Sequence, residues 1–580
     1  MPGLFAAFGA LSRRSAPGDA AWRAGGVELA ASGPARRVEH GPLVAVVDAR
    51  LEQTDRLDRQ LGLGPLGLGG GDRRAADARR LAAAVGRWGD AAPERLQRAF
   101  AAVVWDRDAR RALVVRDRLG LRPLYRTAGG ALEVASSLSD LGAHAAALDR
   151  GHLARFLAGA VDARSTAVDG VERVPPATVA TVADGRWAER RFWQLDPEPT
   201  LVAGDAETED RFRALFDAAV GEHLGDAPGA FLSGGLDSSS IVTTARALRP
   251  DVPIPTFSIV YDRAEADERR FLDAVLADDG LSSTRVDGER LSLLDGLDGD
   301  LRALGEPSLM PNLFLTRTLY AEARAAGLTA VLDGFAGDNV VGHGDLRLTE
   351  LARALRLPTF VREVRAAART TNRPRRAVLD FVRAYALAPL VRSRRPAAAL
   401  TFAHPDLPAV PAPAPRPATD RAAHVAELTS PLLAHAFEVA YAVAAQHGIE
   451  PRFPFASAPL VAFCLALPPS QRMRDGTTRS ILRRAMRGRL PETVRQRAGK
   501  ARLGTSFEDA LFVRDAARLR QLVYEDAAAA PDVLDVPALQ AAYAQAARSP
   551  ATRGALALPL WRAVVVARWL ALRRAGDLAP

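Results

Sequence analysis

Residues 231–242 read FLSGGLDSSSIV, and this stretch decides how the chain folds. An apolar strand ends at Leu232, two glycines follow, and small hydroxyl residues open a helix. Glycines let backbone approach an anion closely, and free N–H groups at a helix N-terminus attract it together with the helix dipole. Ser233, Gly234, Gly235, Ser238 and Ser239 are therefore candidate contacts to a phosphate group. Asp237 cannot sit against phosphate without a cation, so it implies Mg²⁺. A Walker loop needs Gly-Lys-Ser/Thr. The chain has one lysine, Lys500, between Gly499 and Ala501, so that motif is absent.

Outward from this loop, short apolar strands alternate with helices from Glu207 onward. Helices are expected near 207–224, 238–248, from 267 and at 312–326, with strands at 255–260 and 329–333. That alternation implies a parallel, doubly wound sheet. A second acidic loop, VLDGFAGDNVVGHG (331–344), follows the last of these strands. Parallel sheets place ligands at the carboxyl ends of their strands, so Asp338 is expected to meet Asp237 across one metal ion, with Gly334 beside the ligand. Before residue 200 the texture is strand-rich, with strands at 41–48, 99–104, 111–116 and 131–135 and a helix at 74–89. It reads as an α+β sandwich over 1–200, joined by a Pro/Gly/Asp-rich linker to a second domain over 205–580. Residues 345–447 read as a helical, Arg/Ala-rich addition broken by the loop PDLPAVPAPAPRPATD.

Composition narrows the classes. A length of 580 residues exceeds one core, and 48% hydrophobic with 25% charged residues fits a globular protein. No apolar run is expected to reach the ~20 residues of a membrane span, and the start, with its basic pair after an apolar stretch, does not read as a secretory signal. One cysteine, Cys464, excludes an internal disulfide and multi-cysteine metal sites, and suits a cytoplasmic location. The net charge of +9 is expected to be an arginine excess spread along the chain, with room for a local basic face that meets phosphates or an acidic peptide, and nucleic acid is not expected as a partner.

The SGGxDS loop resembles the pyrophosphatase-type loop of enzymes that split ATP between its α- and β-phosphates. Together with 331–344, LQRAFAAVVWDRDARRALVVRDRLGLRPLYR (96–126), GIEPRFPFASAPLVAFCLALP (448–468) and LRRAMRGRLPETVRQRAGK (482–500), it resembles the asparagine synthetase family over nearly the whole chain. The resemblance implies a glutaminase-like (Ntn-type) sandwich followed by an ATP-pyrophosphatase-type synthetase domain using ATP and Mg²⁺. It also makes Lys500 the active-site lysine, and Asp237, Asp338 and Lys500 the catalytic set. Ser258 and Val260, in TFSIVYD (256–262), would lie beside the adenine. Asp267 and Glu268 resemble an acidic pair of the family, or a solvated helix start; Glu306 matches a segment near the acceptor, or caps a helix. Arg497 is a phosphate contact or a surface charge, and His343 a base or a structural histidine.

Departures from the family pattern matter as much. Family glutaminase domains expose an N-terminal cysteine, and this chain reads Met1, Pro2, Gly3; where the family has Asn-Gly-Glu it has Asp48-Ala49-Arg50. Without a nucleophile the sandwich is expected to be structural. Members lacking that cysteine include β-lactam synthetases and lasso-peptide cyclases, which close rings with an internal amine. Phe335 and Asn339 stand where those relatives carry proton-handling or acidic residues. The helical addition over 345–447 and the overall length resemble lasso cyclases most, and the resemblance makes that addition the candidate peptide-binding region. The implied substrate is a precursor peptide, and the implied partners are a leader peptidase and a leader-binding protein. A β-lactam-synthetase-like cyclase, an ammonia-using asparagine synthetase and an RNA-modifying adenylating enzyme are the alternatives.

Overall fold

A computed structural model describes residues 3–8, 21–24, 26–64, 72–129, 131–142, 146–195, 200–225, 228–278, 280–344, 346–369, 374–387, 402–412, 414–415, 417–497, 499 and 504–578. Lys500 lies outside the described residues, one position past Gly499.

Two six-stranded sheets stack in the first part of the chain. Strand Leu4–Phe8 shows why: Leu4, Ala6 and Phe8 face Val44, Val46, Ala101 and Val103 of the other sheet, while Phe5 and Ala7 face the opposite way. That two-residue alternation buries both faces of a strand, so every position of Leu4–Phe8 and of Leu43–Leu51 is buried. Helix α1, Arg73–Trp88, is capped by Asp72, which accepts from Arg74 and Ala75 N–H. Its Ala78, Leu81 and Ala82 cover the outer face of one sheet. The other sheet's outer face packs on C-terminal helices, including Trp561 and Val564.

The second part is built on five parallel strands: β1 Ala230–Phe231, β2 Ile254–Val260, β3 Leu281–Asp287, β4 Ala330–Leu332 and β5 Glu450–Arg452. Their order is β3-β2-β1-β4-β5, with Ala230 paired to Thr256 on one side and to Leu332 on the other. The chain winds outward from β1 in both directions, so β1 and β4 flank the point where strand order reverses. A crevice opens there beyond the carboxyl ends of the strands. The 231–242 stretch is β1 followed by helix α2, Leu236–Leu248. Strand β3 and β5 were not expected from sequence; β5 is only three residues long and contains Pro451.

Past β4, helices Arg347–Arg353, Leu357–Arg369 (α4, after α3 at Arg269–Val275) and Pro374–Val382 form a small separate core around Phe360, Val364 and Met473. In the proline-rich loop 405–420, Leu407 and Asp420 are buried, whereas most of its other described residues are exposed. The arginine excess is concentrated here rather than spread along the chain, which favours the alternative of a local basic face. Residues 353–401 hold twelve arginines against Glu363 and Asp380, a surplus of ten in a chain whose total is nine. A second correction concerns apolar runs. Residues 420–446, which include helix α5 (Pro431–Gln446), and helix α6, Pro550–Ala575, are long and apolar enough to cross a membrane by length and composition alone. Of their most apolar windows, 56% and 61% respectively is buried inside the protein, where alanine, valine and tryptophan fill core positions.

Candidate active site

The turn between β1 and α2 is held by its own hydroxyls. Ser238 Oγ accepts from Ser233 N–H at 3.1 Å and meets Ser233 Oγ at 2.9 Å, while Ser233 itself is exposed. Gly234 has φ +68°, and a Cβ there would lie 2.9 Å from Leu272 N, so only glycine fits. Helix α2 follows Gly235, which has no side chain to cap it, so the helix's first N–H groups have no side-chain acceptor there. Ser239 points elsewhere: it is fully buried, and its Oγ has no hydrogen-bond partner.

The β4 loop comes up against this turn. A Cβ on Gly334 would stand 2.9 Å from Ser238 N, so the two loops touch backbone to backbone. Ala336 adopts φ +67°, an uncommon conformation for a residue with a Cβ. Asp338 is thereby brought to Asp237, as the sequence implied. Between them stands Arg479, whose Nη1 donates to Asp237 at 2.8 and 2.7 Å and lies 2.5 Å from Asp338 Oδ1. Sequence reasoning missed Arg479. It sits at φ +52° at the mouth of helix Ser480–Ala485, 242 residues from Asp237, and is one of 76 arginines. Behind it, Arg483 donates to the Thr478 and Arg495 carbonyls, and burial lowers its guanidinium to about 10. The crevice is thus positive around one acidic pair, which suits a polyphosphate.

The donor set fits Mg²⁺. Two carboxylates that converge on one guanidinium nitrogen are close enough to share a small cation, and a Mg²⁺–phosphate complex needs only one or two protein carboxylates. Among the described residues no group of three or more His, Cys, Asp or Glu could hold a metal unaided. The remaining ligands would be phosphate oxygens and water.

The other candidates divide. Glu268 pairs with Arg497, which also donates to Gly234 O at 3.2 Å and to Gly499 O at 2.6 Å, and stacks 4.2 Å from the Phe271 ring on α3. Arg497 therefore ties the 494–499 segment to the phosphate turn. Asp267 only bonds its neighbour Arg269, which holds its carboxyl below the usual range. His343 Nε2 lies 3.7 Å from Asp338 Oδ1. Ser258, on β2, is buried, with its Oγ 2.8 Å from Ser283 Oγ; Val260 is half-buried at the strand's end. Phe335 turns away into an edge-on cluster with Phe437 and Phe453, and Asn339 donates to Glu427 at 2.7 Å. Asp333, at the end of β4, accepts from Phe335 N–H, and burial pushes its carboxyl up to about 6.

Glu306 lies elsewhere. It is buried at the domain interface, paired with Arg173 and accepting from Ala167 N–H at 3.0 Å. Asp48 and Arg50 also serve that interface: Asp48 accepts from Tyr441 OH and lies 3.3 Å from Arg122, and Arg50 lies 3.6 Å from Glu450. Cys464 is fully buried in an apolar helix, which pushes its thiol up to about 12.

Two stacked six-stranded sheets followed by a parallel five-stranded sheet, with a glycine turn at that sheet's switch point, define a two-part α/β architecture. A family model described as asparagine synthase matches residues 211–571, and one described as a glutamine amidotransferase domain matches 70–193. The first covers more than half of the chain, which belongs to the asparagine synthase family. Among curated relatives, a protein named asparagine synthetase [glutamine-hydrolyzing] 3 from Bacillus subtilis (strain 168) is 30% identical over 200 residues, 33% of this chain and 32% of that one. Asparagine synthetase [glutamine-hydrolyzing] 1 from the same organism is 24% identical over 277 residues, 46% of this chain and 43% of that one. The chain thus spans well under half the length of these relatives. A solved structure of the allosteric regulatory enzyme of purine biosynthesis superposes at TM-score 0.20 with 14% identity, covering 44% of this chain and 62% of that one, too weakly to carry an argument.

Proposed function

We propose that the chain is an ATP-dependent amide-forming ligase of the lasso-peptide cyclase type. It would adenylate an Asp or Glu side chain of a precursor peptide and close a macrolactam with the peptide's own N-terminal amine. A single observation carries the reading: the one cysteine of this sequence, Cys464, is a buried thiol in an apolar helix and offers no thiolate to release ammonia from glutamine. In this reading the amine comes from the substrate or from solution. The ion pairs that occupy Asp48 and Arg50 support the same view, since they commit the sandwich to structure.

In the proposed reaction a side-chain carboxylate oxygen attacks the α-phosphorus of ATP, the α–β bridging bond breaks, and pyrophosphate leaves. The α-amine nitrogen attacks the acyl carbon, the acyl–phosphate bond breaks with AMP as leaving group, and the amine loses a proton. Bound Mg²⁺ would neutralise charge on the leaving pyrophosphate. The α2 N–H groups and Ser233 would bind pyrophosphate, and Arg479 would stabilise its charge once displaced from the acidic pair. With Phe335 unable to accept a proton, the amine's own pKa of about 8 leaves a useful neutral fraction. Cytoplasmic location, a leader peptidase and a leader-binding protein belong to the same proposal.

The test supplies ATP, Mg²⁺ and the peptide encoded beside the gene, and follows AMP, pyrophosphate and peptide mass. Loss of one water with stoichiometric AMP is expected. Labelled ammonia entering free aspartate instead would overturn the cyclase reading in favour of an asparagine synthetase.

A further inference from the structure

Part of the positive surplus of the 353–401 stretch is exposed over residues 353–369. Its acidic residue in α4, Glu363, is fully buried, accepts from Gly476 N–H at 2.8 Å and pairs with Arg347 at 3.1 Å. Arg353, Arg356, Arg362, Arg365 and Arg369 are exposed, and among the described residues of 353–369 no carboxylate is. On the same stretch Leu355, Leu357 and Val361 are 77%, 55% and 39% exposed. Leu355 also sits at φ +53°, an uncommon backbone conformation for leucine. The opposite face of α4 is already committed, with Phe360, Val364 and Ala368 buried. Aliphatic side chains left in water among five arginines are a surface with its partner missing.

We propose that this face docks an acidic, aliphatic-containing segment of the polypeptide substrate. The proposal rests on the peptide-ligase reading above. Arginines would pair with carboxylates and steer the encounter, while Leu355, Leu357 and Val361 would cover apolar side chains. A nucleic acid would use the arginines but leave the leucines wet. An anionic membrane favours aromatic side chains beside the cations, and 353–369 exposes none. The neighbouring stretch 388–401 carries Arg392, Arg394 and Arg395 without an acid, so it does not complement the face. The position also suits a substrate. Gly476, bonded to Glu363, lies in the hairpin of Met473–Arg474 and Thr477–Thr478, which leads directly into Arg479 at the acidic pair.

Fluorescence anisotropy of a labelled Glu-Leu repeat peptide on the full chain, without ATP, tests this; a Lys-Leu repeat is the control. The wild type is expected to bind the acidic probe only. Arg362→Glu/Arg365→Glu should weaken binding at least ~10-fold and flatten its salt dependence, because three arginines then face two introduced carboxylates and most of the local positive surplus is gone. Leu355→Ser/Leu357→Ser should weaken it ~5-fold, an effect that persists in high salt because apolar burial is not screened. ATP binding should be unchanged in both variants. Unaltered peptide affinity in both would overturn the proposal. So would a charge-reversal effect seen only with phosphatidylserine vesicles or a DNA duplex. Because binding is read without turnover, peptide affinity that depends on this face in a chain that never removes water would keep the docking face and sink the cyclase reading.

Discussion

Arg479 holds two carboxylates together that would otherwise repel. Removing it as Arg479→Met leaves Asp237 and Asp338 facing each other over a few ångströms, with only partial solvent access. Breaking a buried pair costs about 3–5 kcal/mol, and partial exposure of Asp338 brings the expectation here to about 2 kcal/mol. Millimolar Mg²⁺ should restore much of that loss in the variant and change the wild type little. Thermal melts with and without Mg²⁺ measure this, and equal Mg²⁺ responses would show that the pair does not bind the ion. Lys500 carries a different expectation. Arginine is a delocalised planar fork, whereas lysine is a compact charge able to enter a tight site and lose its proton. If Lys500 is the family's catalytic lysine, Lys500→Arg should lower kcat at least ~100-fold with the melting temperature unchanged. Near-normal AMP release by that variant would refute the assignment.

At the scale of elements, two short loops carry the site, and glycine sets their separation. Gly334→Ala would drive a methyl group to 2.9 Å from Ser238 N, and neither backbone has a flexible end to yield. Overpacking of this kind costs about 1–3 kcal/mol, which predicts a rise in KM for ATP of ~10-fold or more with kcat less affected. A KM within twofold of wild type would mean that the loops part freely. These loops were legible in sequence because each motif is local: strand, glycine turn and helix start follow within twelve residues, and the parallel-sheet rule then brings Asp237 and Asp338 together. What could not be read were long-range arginine contacts. Nothing in GTTRS distinguishes Arg479 from its many neighbours until the fold carries it to Asp237, and Glu306 is interfacial only because Arg173 arrives from the other domain. Arg497 was left undecided for the same reason, since Gly234 and Glu268 are both more than 220 residues away. The arginine excess was open to counting, yet its exposure was not: Glu363 is hidden by packing, not by sequence.

The whole molecule is joined by charge as much as by apolar contact. Glu438, on α5, receives Arg116 at 2.7 Å and Arg173 at 3.0 Å from the sandwich, and Glu450, on β5, receives Arg122 at 2.9 Å. All five are buried. Burial alone would raise Glu438, but Arg116 and Arg173 outweigh it and hold the carboxyl well below its ordinary value; Arg452, Arg122 and Arg50 do the same for Glu450. A carboxyl whose folded pKa is depressed adds stability that is complete above its unfolded value, near 4.5, and drains away as pH falls below it. His435, 3.9 Å from Glu438, is held neutral by burial and adds to the acid limb from nearer its ordinary 6.5. The two contributions therefore occupy separate pH windows. Glu438→Gln should lower stability at neutral pH by about 3–5 kcal/mol, because Arg116 then keeps only the carbonyls of Arg122, Val174 and Gly120. Below pH 4.5 the variant has one less carboxyl to protonate, so its melting temperature should fall less steeply than the wild type's and the two curves should converge. Parallel curves through that range would show that the Glu438 carboxylate does not join the domains.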